Sequence, residues 1–135
     1  MSDFKPFDII TAPYIDFNGQ IKTNFRDGIE YSLFFVVSVN EDNTLTCCKI
    51  TSNKDTGVPA CNYYLSLVSH PFLQCDSWIQ CDKLHTVSAF KSIKRGSMID
   101  FCRRGFISKF TLVFGQFRLG LEEYAPEYIS PSRKF

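Results

Sequence analysis

Tyr31-Ser32-Leu33-Phe34-Phe35-Val36-Val37-Ser38-Val39 is the strongest apolar run in the chain. It is short, rich in β-branched and aromatic residues, and continuous rather than alternating, so it predicts a strand buried on both faces. Glu41-Asp42-Asn43 supplies a turn, and Thr44 to Ile50 follows as the antiparallel partner. Ahead of this pair, Phe7 to Ala12 reads as a short strand edged by Pro13. Between them, residues 16–30 are polar, contain Gly19 and Gly28, and read as a long loop with a hairpin-like bend at Asn18-Gly19. A connector of about 15 residues exceeds the ordinary length, and such loops are often functional.

Downstream the same reading gives a strand over Tyr63 to Leu67, a break at Ser69-His70-Pro71, and a moderately alternating strand over Ser77 to Leu84. Phe90 to Lys94 then reads as a turn or short helical piece closed by Gly96, and Ser97 to Phe101 as a last strand or a connector. Phe106, Phe110, Val113, Phe114, Phe117 and Leu121 fall at helical spacing and predict an amphipathic helix over 106–121, with Gly120 at its end and Pro126 beyond. Residues 122–135 read as an irregular tail. Short strands, long loops and one terminal helix predict a mainly β (α+β) fold. The expected form is a small, strongly bent antiparallel SH3-like barrel with a C-terminal helix, filling residues 1–135 as one domain.

Composition narrows the function. Aromatics make up 16% of the chain, 14 of them Phe, which argues for a packed core and against disorder. The net charge is +1, so a uniformly basic nucleic-acid footprint is excluded, and any such site must rest on local clustering. Lys91, Lys94, Arg95, Arg103, Arg104 and Lys109 form the clearest cluster, readable equally as a solvated face or a phosphate-binding one. The N-terminus lacks an apolar core of signal-peptide length, and no apolar run approaches the ~20 residues of a membrane span, so the expectation is a cytoplasmic protein with no membrane partner. The six cysteines form no Cys-x-x-Cys pair and stand at no metal-ligand spacing from either histidine. They read as reduced, buried thiols, and no metal or other cofactor is expected. A cysteine nucleophile would need His70 or His85 beside it.

The chemistry on offer suits a phosphodiester. RNA carries its own 2′-hydroxyl nucleophile, so a protein needs only a base, an acid and positive charge for the phosphoryl oxygens. Thr51 and Ser52, at the end of a strand, can donate hydrogen bonds to a phosphate; one hydroxyl capping a turn at Asn53 is the competing role. Arg26 and Lys22 lie in the preceding polar loop, and a hairpin brings Arg26 within reach. His85 is a further candidate for proton transfer. Trp78 can stack on a base, and Asn53 and Lys83 complete the candidate RNA contacts.

These segments resemble the MazF/PemK family of toxin endoribonucleases. The resemblance rests on Ile50-Thr51-Ser52 closing a strand, on Leu73-Gln74-Cys75-Asp76-Ser77-Trp78-Ile79 with Asp82-Lys83-Leu84-His85-Thr86-Val87, on Gly96, and on Leu119-Gly120-Leu121. It implies an SH3-like barrel, a homodimer, a cognate antitoxin partner, and metal-independent cleavage of single-stranded RNA through a cyclic phosphate. It also implies that Thr51 and Ser52 support catalysis. The family's main catalytic arginine precedes a proline at the start of the apolar strand. The matching site here reads Glu30-Tyr31-Ser32, which passes the role to Arg26 through a longer loop. The alternative reading of the same barrel is a non-catalytic binding module for nucleic acid or a protein partner.

Overall fold

The computed structural model describes residues 3–13, 23–24, 28–29 and 31–114. Its centre is the pair expected from the apolar run, β4 (Tyr31–Val39) and β5 (Thr44–Thr51), joined by a turn in which Asn43 takes a φ of 64° and Asp42 accepts a hydrogen bond from the Thr44 amide. Residues 34–37 are all buried, as a run without alternation demands. Phe35 and Val37 enter one core cluster, and Phe34 and Val36 enter a second on the opposite face of the sheet.

The other described elements are β1 (Asp8–Pro13), β2 (Thr23–Asn24), β3 (Gly28–Ile29), β6 (Asn62–Leu65), β7 (Ser77–Gln80), β8 (His85–Ser88), β9 (Ile93–Ser97) and the helix α1 (Asp100–Phe114). The main sheet runs β6-β7-β5-β4-β1-β9, antiparallel throughout, with β8 also on β5; β2 and β3 form a separate small ladder. β5 is the spine. It pairs with β4 along one edge, and on the other it serves β8 at its start and β7 at its end. This sharing curls the sheet into a half-barrel, the mainly β fold the sequence predicts.

α1 packs on the first face. Phe106, Ile107 and Phe110 are buried there among Phe7, Ile9, Phe35, Leu65 and Ile79. The Phe106 ring lies 4.4 Å from that of Phe35 and 5.7 Å from that of Tyr63. Phe7, at φ 77°, is held by its amide to the Val36 carbonyl, by its carbonyl to the Met98 amide, and by the Arg103 guanidinium over its ring.

Three expectations are corrected. Ser77 to Leu84 is not one strand, because the chain turns at Cys81-Asp82 and restarts as β8. The turn or short helical piece expected over Phe90 to Lys94 is shorter and earlier: a 3₁₀ turn covers Ala89–Lys91 and β9 begins at Ile93, so Gly96 lies within a strand and Ser97 ends one rather than starting it. The helix begins at Asp100, six residues before the apolar spacing suggests, because its first turns are anchored by Arg103 bonding the Met98 carbonyl and the Asp100 carboxylate rather than by an apolar stripe. Asn18-Gly19, the stretch 115–121 of the expected helix and the 122–135 tail lie outside the described residues.

Candidate functional site

Where β5 ends, its last residue Thr51 stands opposite Trp78 of β7, and Ser52 leaves the sheet. The turn that follows is tightly held. The Asn53 amide donates to Thr51 Oγ1 (3.1 Å), the Asp55 amide to Asn53 Oδ1 (3.0 Å), and Asn62 Nδ2 to the carbonyls of Lys54 and Thr56. Thr51 therefore does cap the turn. Ser52 is exposed, with no hydrogen bond among the described residues.

A second wall comes from the segment between β6 and β7. His70 is buried and ties it down: the Ile99 amide donates to Nε2, leaving Nδ1 to donate to the Ser66 carbonyl. The Leu67 amide donates to Asp76 Oδ1, and Ser77 Oγ donates to the Cys75 carbonyl. The Asp-Ser pair of the sequence motif is thus a loop clamp.

Between these walls lies a cleft of about 540 Å³. Leu33, Ile50, Phe72 and Leu73 supply its apolar lining. Thr11, Ser32, Thr51, Ser52, Ser77 and Arg95 supply hydroxyls and one guanidinium, with Tyr31, Gln74 and Cys75 at its exposed parts. Among the described lining residues, Arg95 is the only lysine or arginine. The pattern along β9 hid it. Of the six basic residues grouped by sequence, Lys94 pairs with the buried Asp8 carboxylate (3.4 Å), Arg103 lies 4.5 Å over the Phe7 ring, and Lys109 bonds the Ala60 carbonyl (2.8 Å). Only Arg95 reaches the cleft.

The remaining sequence candidates divide. Thr51 and Ser52 come together in the cleft. Asn53 sits in the adjoining turn. Trp78, Lys83 and His85 do not line the cleft. Residues directly opposite share a face, so Trp78 shares that of Thr51 at the strand end but stands outside the cleft lining, its ring 5.6 Å from that of Tyr64. His85 stands opposite Cys47 with its ring 5.8 Å from that of Phe34, among the second core cluster. Burial holds its pKa below the usual 6.5, reinforced by Lys83 and Lys49. Cys47, its neighbour, is buried, and desolvation pushes its thiol far up, which removes it as a nucleophile. Burial likewise pushes Cys81 up to about 12. Arg26 and Lys22 lie outside the described residues. No group of three His, Cys, Asp or Glu side chains converges, and no helix is long and apolar enough to cross a membrane, among the described residues.

A half-barrel of antiparallel strands closed by one helix, with a polar cleft at the end of its central strand, defines the class of protein. The comparisons agree with that class. The fold is similar to that of the Mycobacterium tuberculosis toxin MazF-mt6, with a TM-score of 0.54 and 14% identity over 78% of this chain and 94% of that one. The fold is therefore MazF-like. No family model matches the chain, and no curated protein does.

Proposed function

We propose that this chain is a MazF-like endoribonuclease that cleaves single-stranded RNA without a metal. The observation that carries this reading is the cleft in which Thr51 and Ser52 share a polar lining with a guanidinium, in a fold of the MazF type. The Ser52 hydroxyl donates to the scissile phosphate, and Thr51, whose hydroxyl donates to Thr56 Oγ1 and accepts from the Asn53 amide, fixes the turn that presents it. The 2′-hydroxyl of the RNA attacks phosphorus, loses its proton, and expels the 5′-oxygen, which takes one up; the products are a 2′,3′-cyclic phosphate and a 5′-hydroxyl end. Trp78 and Tyr64, their rings tilted against each other next to Thr51, offer an aromatic surface for a neighbouring base. Arg26, from the polar loop, remains the sequence-derived second cation. A homodimer, a cognate antitoxin covering the cleft, and a cytoplasmic setting belong to the same proposal.

A second reading is favoured by one feature of the cleft: no carboxylate and no imidazole lines it among the described residues. A binding module that holds RNA without cutting it would have this lining. The two are separated by incubating the protein with a long RNA in EDTA. The nuclease gives fragments with cyclic phosphate ends, and Thr51→Ala/Ser52→Ala lowers the rate about 100-fold. Intact RNA that nonetheless co-migrates with the protein selects the binding module. Equal cutting by the double variant removes Thr51 and Ser52 from the reaction.

A further inference from the structure

The register of β9 against β1 contains one irregularity. Ile9 stands opposite Gly96 and Ile10 opposite Lys94, so Arg95 is the extra residue of a β-bulge. Both neighbours are committed. Lys94 pairs with Asp8, and Gly96 lies beneath the Phe72 ring, so close that a Cβ there would fall 2.5 Å from Phe72 Cε2. In an unbroken ladder Arg95 would stand opposite Ile10 and share its face, that of the second core cluster. The bulge instead lets its side chain line the cleft. Bulges gather beside active sites because they re-aim a side chain in this way.

Arg95 is exposed and has no hydrogen-bond or ion-pair partner among the described residues. In the same cleft, Thr11 Oγ1 is buried and also lacks a partner among the described residues. An unused buried hydroxyl is costly, and a bound acceptor relieves it. We propose that Arg95 and Thr11 form the phosphoryl-oxygen subsite of the cleft, Arg95 being the cation that meets the charge developing on phosphorus. This rests on the nuclease reading and assigns to β9 the role that the sequence gives to Arg26. The planar guanidinium donates in pairs to two phosphoryl oxygens, and the Thr11 hydroxyl donates to one of them.

The test uses the full chain, a cleavable RNA, and a 2′-deoxy oligonucleotide of the same sequence that can bind but not react. Arg95→Gln is expected to slow cleavage about 100-fold and weaken oligonucleotide binding about tenfold. Arg95→Lys recovers binding more than cleavage, because it keeps the charge and loses the fork. Thr11→Val weakens binding without lowering the melting temperature, since it removes a hydroxyl that has no folded partner. Arg104→Gln, exposed on α1 and outside the cleft, leaves both unchanged. Wild-type rate and affinity in a folded Arg95→Gln protein overturn the subsite while leaving the nuclease reading intact. If the wild type cuts no RNA, that reading fails, and the subsite is judged by binding alone: Arg95-dependent affinity supports it, and equal or absent affinity overturns it.

Discussion

Single side chains divide sharply between those that hold the molecule together and those that are unpaired. Asp8 is fully buried, yet its carboxylate accepts from the Lys5 amide and the Ser97 hydroxyl and faces the Lys94 ammonium. Thr51 and Ser52 were legible because a β-patterned run stops at a hydroxyl pair, and strand ends expose what they carry. Arg95 was legible only as one cation among six, because nothing in the residues themselves says which are spent on Asp8, Phe7 or a carbonyl. His85 yields a pH dependence. Its folded pKa lies below its unfolded 6.5, so the folded state resists protonation. The stability it contributes is fully present above pH 6.5 and is lost as the pH falls from there through the lower folded value. Urea midpoints measured from pH 7.5 to 5 should decline, and His85→Gln should decline less steeply; parallel curves would contradict the assignment.

The elements show why His85 was expected beside the cleft. Trp78 and Ile79 pair with Thr51 and Ile50, whereas His85 pairs with Cys47, so the ladder along β5 slips by three residues between β7 and β8. The segment has neither Gly nor Pro to mark that slip, and its alternation reads as one strand. An odd offset inverts the faces. Ile79 lies in the helix-side core and Val87 in the other, although even spacing would put them together. Ser77 lines the cleft, and a continuous strand would have brought His85 to the same side. By contrast β4 was readable to the residue, because local composition and tertiary burial make the same demand there. β9 carries a prediction of its own. Gly96→Ala forces the Phe72 ring to move, which should cost about 1–3 kcal/mol by chemical denaturation. Phe72→Ala in the same chain removes the clash, so the double variant should be more stable than the sum of the single losses implies. Strict additivity would show that the ring does not press on that position.

At the scale of the whole molecule, a net charge of +1 and an aromatic-rich core leave little field to draw a polyanion from a distance. On the proposed reading, RNA is therefore recognised at the cleft and the surfaces next to it. The binding of a 2′-deoxy oligonucleotide should therefore depend only shallowly on salt, with a slope reflecting a few phosphates at about 0.7 each. Arg95→Gln should reduce that slope by about 0.7. A steep slope unaffected by the variant would place the contacts elsewhere. The fold class was legible because short strands and one helical stripe admit few packings. The cleft was not, because it is assembled from β1, β4, β5, β7, β9 and a loop that only the sheet order brings together.

The odd residue in β9 has a genetic consequence. One in-frame codon gained or lost in that strand changes which side chain the cavity receives, while every cavity-lining position elsewhere keeps its identity. A lineage with this architecture can thus relocate or discard its cleft arginine by an indel alone. Relatives compared only by matching columns of aligned arginines would then be sorted wrongly by whether their cleft holds a cation.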